Sequence, residues 1–243
     1  MAGPEEMELS FMDSGVLCPV APRSYGNWKR IVQRLAVWAA IILLVTGTAG
    51  AAERPIKLVV LGDSLVAGYQ IPYSAAFPAQ LDKALRAKGF AVEVANAGVS
   101  GDTTTGGLAR LDWSVPQGTD AVILELGAND MLRGVDPKIP REALTEIVHR
   151  LKERGIQILL CGMRAAPNLG ADYARVFDVI YPELAAGNDL LFYPFFLDGI
   201  VTDPKLNQHD GLHPTEAGVA IIVERILPKV EELLFRVRAN PKS

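Results

Sequence analysis

Five groups in four short segments of this chain have the types needed for acyl transfer. Gly62-Asp63-Ser64-Leu65 offers a hydroxyl, and Asn96-Ala97-Gly98-Val99-Ser100-Gly101-Asp102 offers a backbone amide at Gly101 that no Cβ obstructs. Gly127-Ala128-Asn129-Asp130 adds a side-chain amide at Asn129, and Asp210-Gly211-Leu212-His213 adds an imidazole with a carboxylate three residues before it. Acyl transfer needs a hydroxyl made nucleophilic by a base, and a carboxylate that holds the base in one tautomer and stabilises it when protonated. Ser64, His213 and Asp210 fit those roles. The negative charge of a tetrahedral intermediate needs donors aimed at one oxygen, and the candidates are the amides of Ser64 and Gly101 and the side chain of Asn129. One turn brings Asp210 to His213, so only Ser64 must arrive from far away in sequence.

The elements around these residues set them on one edge. Ile56-Lys57-Leu58-Val59-Val60-Leu61 is short, apolar and β-branched, which predicts a buried strand with Ser64 just beyond its carboxyl end. The run 121–126 does the same for Asn129. Ligands of open α/β sheets bind at that edge. Further strands are predicted at 90–95, 156–161 and 190–193, and helices near 74–89, 140–154, 173–186 and 214–238. Pro214 is placed in the first turn of the last helix. Strands alternating with amphipathic helices argue for a parallel sheet covered on both faces. No repeat or linker interrupts 55–236, so one domain over 52–243 is expected.

In content, order and spacing, these four segments resemble the blocks of the SGNH (GDSL) hydrolases, with Ser64, Gly101, Asn129 and His213 at the positions that give the family its name. The chain is most similar to the periplasmic thioesterase, arylesterase and lysophospholipase branch. The matching stretches are Leu61-Gly62-Asp63-Ser64-Leu65 with Ala67-Gly68-Tyr69, Ser100-Gly101-Asp102-Thr103 with Gly107-Leu108-Ala109-Arg110-Leu111, and Glu125-Leu126-Gly127-Ala128-Asn129-Asp130; Ile180-Tyr181-Pro182, Pro194-Phe195-Phe196 and Asp210-Gly211-Leu212-His213-Pro214 extend them. The resemblance implies a flavodoxin-like three-layer α/β/α sandwich with a parallel sheet of about five strands in the order 2-1-3-4-5. It also implies hydrolysis of aryl esters, acyl thioesters or lysophospholipids through an acyl-enzyme on Ser64, with no metal or organic cofactor. A carbohydrate O-deacetylase of the same fold is the alternative, and a non-catalytic binding module the third reading. Ala128 stands where relatives often carry a second glycine, and the loop 164–170 is of a variable kind, which leaves acyl preference open. Val66 excludes the Gly-x-Ser-x-Gly elbow of α/β-hydrolases.

Other residues have plainer readings. Asp63 and Asp102 are expected to bond loop amides rather than a metal, Asp130 to be structural, and Arg110 and Arg133 to be solvated. Of the three histidines, His149 lies in a helical pattern on a solvated or boundary face, and His209 has no carboxylate three residues before it. Leu108, Leu132, Leu169 and Phe196 are candidates for an acyl groove or for core packing.

The net charge of −4 gives no sign of a nucleic-acid partner. Lys29, Arg30 and Arg34 precede the apolar run 35–45 and then Ala49-Gly50-Ala51-Ala52, the pattern of a signal peptide cut after Ala51 or Ala52. Export to the periplasm or beyond is expected from residues 1–51, with membrane anchoring if the segment stays uncleaved. The run falls short of the ~20 apolar residues of a spanning helix. Of the two cysteines, Cys18 lies in that leader, so the mature domain keeps Cys161 and no internal disulfide.

Overall fold

The structure is a computed structural model that describes residue 30, residues 32–34 and residues 54–240. The expected leader falls almost wholly outside the described residues; residues 30 and 32–34 within it are helical. Among the described residues no helix is long and apolar enough to cross a membrane.

Strand β1 (Ile56–Gly62) runs into the short helix α1 (Ser64–Ala67), a 3-10 turn at Tyr73–Ala75, and helix α2 (Phe77–Ala87). Strand β2 (Val92–Gly98) is followed by helices α3 (Thr104–Ala109) and α4 (Leu111–Ser114), and strand β3 (Ala121–Leu124) by α5 (Ala128–Leu132) and α6 (Lys138–Glu153). Strand β4 (Gln157–Cys161) leads to α7 (Ala171–Phe177) and α8 (Ile180–Asn188), and strand β5 (Leu191–Tyr193) leads through a long loop to α9 (Glu216–Ala239). The five strands are parallel in the order β2-β1-β3-β4-β5, as the resemblance implied.

The sheet's centre is apolar because helices cover it on both faces. Leu58, Val60, Leu61, Val122, Ile123, Leu124, Leu159 and Leu160 are buried, as continuous apolar strands of a covered parallel sheet should be. Helix α9 buries Val219, Ile222, Val223, Ile226, Val230, Leu233 and Leu234, an i, i+3, i+4 stripe laid along α2, β4 and β5, while α6 packs on α3 and β4.

Four differences from the sequence reading have local causes. Strand β2 pairs with β1 out to Gly98 rather than stopping near 95, which carries the chain to the loop of Gly101. The helix expected over 173–186 is two helices, with Asp178 between them accepting the amide of Ala165 at 2.7 Å. Pro214 lies outside α9: Thr215 is the cap, its Oγ1 accepting the amide of Gly218 at 3.2 Å, while Pro214 bridges to Asn207. Helices α3 and α4 were not foreseen, since Thr104-Thr105-Gly106-Gly107 has low helix propensity; Thr103 caps α3.

Candidate active site

Helix α1 starts at Ser64 directly after β1, so its first amides have no partner within the helix. Asp63 caps it, Oδ1 accepting the amide of Leu65 at 2.9 Å. The Ser64 hydroxyl lies 2.9 Å from Nε2 of His213, and Nδ1 of the same ring lies 2.6 Å from Oδ2 of Asp210. Oδ1 of Asp210 accepts the amides of Leu212 and His213 at 2.9 and 3.0 Å, so this carboxylate shapes the loop as well as orienting the ring. Desolvation pushes the Asp210 carboxyl up, but the two amides and the His213 ring outweigh it and hold the group at about 2. Its stabilising contribution is therefore present above the ordinary carboxylate range and is lost only as the pH falls toward 2.

Asn129, near the start of α5, donates from Nδ2 to Oδ2 of Asp63 at 3.0 Å. That bond uses one of two amide hydrogens and sets which end of the side chain is the donor. Asn129, Ser64 and His213 line one groove. Gly101 stands at the same sheet edge, on the exposed loop after β2 and outside the groove's lining, with φ +81°. Its carbonyl accepts from the Arg133 guanidinium at 2.8 Å, and the Arg133 amide bonds the carbonyl of Asn129 at 3.2 Å, which ties the Gly101 loop to the helix carrying Asn129. Arg133 is exposed but not merely solvated.

Against Asp63 lies a second buried carboxyl, Glu125, whose Oε2 accepts the amide of Asp63 at 3.3 Å. Burial pushes the Glu125 carboxyl well up, and the neighbouring Asp63 adds to it; burial likewise raises Asp63, to about 6. A raised folded-state value means stability that is full below the unfolded value and declines as pH rises through the folded one. Glu125→Gln keeps the shape and removes that titration. Urea unfolding at pH 5 and pH 8 is expected to show wild type losing more stability than Glu125→Gln between the two.

Arg110 overturns its solvated reading. It is buried, donating through Nε to Oδ2 of Asp102 (2.6 Å), through Nη1 to the Ala97 carbonyl (2.8 Å) and Ser114 Oγ (2.9 Å), and through Nη2 to the Gly62 carbonyl (2.8 Å). Side-chain exposures of 8% and 13% make Arg110 and Asp102 a buried pair, and two of the four acceptors, the carbonyls of Ala97 and Gly62, are backbone groups that no local pattern announces. Breaking a buried pair leaves an uncompensated charge, so Arg110→Ala is expected to destabilise the domain by about 3–5 kcal/mol, read as a lower midpoint of urea unfolding. Asp102 holds the Arg110 guanidinium rather than the loop amides expected of it; Asp130 keeps its structural reading, accepting the amide and hydroxyl of Thr104 at 2.9 and 2.8 Å.

The groove has a cavity volume of about 410 Å³. Its apolar wall includes Met131, Leu132, Ala165, Pro167, Phe195 and Leu212, with Arg164 over the Phe195 ring at 5.0 Å. Of the four groove candidates only Leu132 lines it. Phe196 is fully buried against Phe77, and Leu108 and Leu169 pack on the core; of the neighbouring pair 195 and 196, only Phe195 lines the groove. His149 is 63% exposed beside Glu153, and His209 is exposed, lining a second cavity with Asp203, Asp210 and Glu216 and standing outside the groove's lining. Two contacts to His213 were missed in the sequence: the ring of Tyr69, at a centroid distance of 4.4 Å, and the amide of Gln208, which donates to the His213 carbonyl at 2.8 Å. Tyr69 stood within a matched stretch, but nothing in spacing marked either contact.

Residues 60–221, more than half of the chain, match the model of the GDSL-like Lipase/Acylhydrolase family. The chain belongs to that family. Among its relatives in the family is an arylesterase of Vibrio mimicus, 44% identical over 165 residues, covering 68% of this chain and 82% of that one. Thioesterase 1/protease 1/lysophospholipase L1 of Escherichia coli (strain K12) is 37% identical over 194 residues, covering 79% and 90%. Among solved structures, that of AlinE4, a SGNH-hydrolase family esterase, superposes with a TM-score of 0.63 at 44% identity, covering 74% of this chain and 97% of that one.

Proposed function

We propose that this GDSL-family chain is an exported serine esterase in which Ser64 attacks an acyl carbonyl. His213 takes the hydroxyl proton, Asp210 orients and stabilises the ring, and the Ser64 and Gly101 amides with the Asn129 side chain receive the oxyanion. The imidazolium passes that proton to the departing alcohol or thiol, leaving an ester on Ser64; water then attacks this ester as it gives its proton to the ring, which returns it to the Ser64 oxygen as the acid leaves. The observation that carries this reading is the continuous hydrogen-bonded line from Asp210 through His213 to the Ser64 hydroxyl, at 2.6 and 2.9 Å.

The substrates proposed are aryl esters, acyl thioesters and lysophospholipids, the classes named for the arylesterase and thioesterase relatives. The groove supports this range over the deacetylase alternative, because its apolar wall exceeds what an acetyl group can fill. Each buried methylene is worth about 0.8 kcal/mol, so kcat/KM for p-nitrophenyl esters is expected to climb up to about fourfold per methylene until the groove is full. A fall from acetate onward would favour deacetylation. A panel of p-nitrophenyl ester, acyl thioester and lysophospholipid assayed on the purified protein tests the substrate classes; inactivity on all three would remove the proposal.

Residues 1–51 are proposed to direct export to the periplasm or beyond, resting on the basic, apolar and small-residue sequence described above. Amino-terminal sequencing of the exported protein is expected to begin at Ala52 or Glu53.

A further inference from the structure

Resting on the acyl-transfer reading, we propose that Tyr69 and Gln208 are positioning residues that hold the His213 imidazole in line with Ser64, the Tyr69 ring also stabilising the imidazolium formed during the reaction. Two hydrogen bonds, one from Nδ1 to Asp210 and one accepted by Nε2 from the Ser64 hydroxyl, run roughly along one axis of the imidazole. They leave the ring free to swing about that axis. A flat group against the ring face removes the freedom, and Tyr69 is that group: its ring centroid lies 4.4 Å from that of His213, with the planes 36° apart.

The backbone closes the same circuit. The Tyr69 amide donates to the Ser64 carbonyl at 3.2 Å, and the Tyr69 carbonyl accepts from Nε2 of Gln208 at 2.8 Å. That Nε2 also donates to the carbonyl of Pro214 at 3.0 Å, and the Gln208 amide donates to the carbonyl of His213 at 2.8 Å. One glutamine therefore fastens the base loop to the turn that leaves the nucleophile's helix. The turn holds an unusual shape to do so. Gly68 and Gln70, on either side of Tyr69, are left-handed, with φ +82° and +57°. A Cβ at Gly68 would lie 2.6 Å from that of Ala76, and glutamine rarely adopts such a φ. Backbone held in a sparsely populated region beside a reacting group is a mark of function.

When Ser64 attacks, its proton moves to Nε2 and the ring carries a positive charge between the Asp210 carboxylate in its plane and the π face of Tyr69 out of it. A cation over an aromatic face within about 6 Å is attracted to it. The aromatic face matters for this, not the Tyr69 hydroxyl, which accepts from Gln70 at 3.1 Å.

The test is steady-state hydrolysis of a p-nitrophenyl ester by wild type, Tyr69→Leu, Tyr69→Phe and Gln208→Ala, with thermal unfolding as the control for folding. Tyr69→Leu is expected to lower kcat about 5- to 30-fold with KM within about twofold. Tyr69→Phe keeps the aromatic face and is expected to restore most of kcat; Gln208→Ala is expected to lower kcat with KM held. Should Tyr69→Leu fail to fold, Tyr69→Met serves the same comparison. Wild-type kcat in the Leu or Met variant, or an equal loss in Tyr69→Phe, overturns the role of the ring, and wild-type kcat in Gln208→Ala overturns the clamp. A wild-type protein that neither hydrolyses the ester nor takes up a fluorophosphonate on Ser64 removes the acyl-transfer reading itself, and this inference with it.

Discussion

Replacing His213 with alanine is expected to lower kcat on an aryl ester by on the order of a million-fold, the scale seen when a nucleophile–base pair is broken, while His209→Ala stays within about twofold of wild type. The Ser64 hydroxyl then has nowhere to send its proton, and Asp210 has no ring to orient. His209 is exposed, and among the described residues no hydrogen bond joins its ring to Ser64, His213 or Asp210. The two variants assayed side by side at one pH make the comparison. A loss confined to His209→Ala would show that the base had been assigned to the wrong imidazole.

Asn129→Ala is expected to lower kcat about 100- to 1000-fold, the range for losing one oxyanion donor, with little change in KM, because the bond is made to the intermediate rather than to the bound ester. The fold should survive, since among the described residues the Asn129 side chain's hydrogen bond is to Asp63 alone. Asn129→Asp is expected to be worse than alanine, for it sets a second carboxylate against buried Asp63 while also removing the donor. Kinetics of both variants with urea unfolding alongside separate the two costs. Activity within a few fold of wild type in Asn129→Ala would take Asn129 out of the mechanism.

The strands that deliver this chemistry are legible because burial on both faces forces an unbroken apolar run: β1 and β3 announce themselves, and with them the places of Ser64 and Asn129. Asp210 and His213 are legible because their partnership is local. What spacing could not show is long-range and polar. Arg110 looks like any surface arginine until carbonyls of Gly62 and Ala97, from two neighbouring strands, converge on it. Glu125 sits at the end of an apolar run, and only its burial against Asp63 shows that it is no ordinary carboxylate. Phe195 and Phe196 are adjacent, and no composition rule tells which one meets solvent; packing against Phe77 decides it. The tilted ring contact of Tyr69 with His213 depends on left-handed backbone at Gly68 and Gln70, and the second is not a residue that advertises such a turn.

The order of the sheet makes the site's positions coherent. Strands β1, β2 and β3 are neighbours, so the loops that follow them, carrying Ser64, Gly101 and Asn129, emerge side by side at one edge. His213 comes from the loop before α9, tied to that edge by Gln208. Two buried groups underpin the arrangement, Arg110 under the β1 and β2 ends and Glu125 under Asp63.

The most direct test of the central claim is intact-protein and peptide mass spectrometry after treatment with a fluorophosphonate. Acyl transfer through Ser64 predicts one adduct per chain, on the peptide containing Ser64, with hydrolysis of a p-nitrophenyl ester lost in step with labelling and no adduct in Ser64→Ala. Ester hydrolysis that persists in Ser64→Ala, or a stoichiometric adduct on another residue, contradicts it.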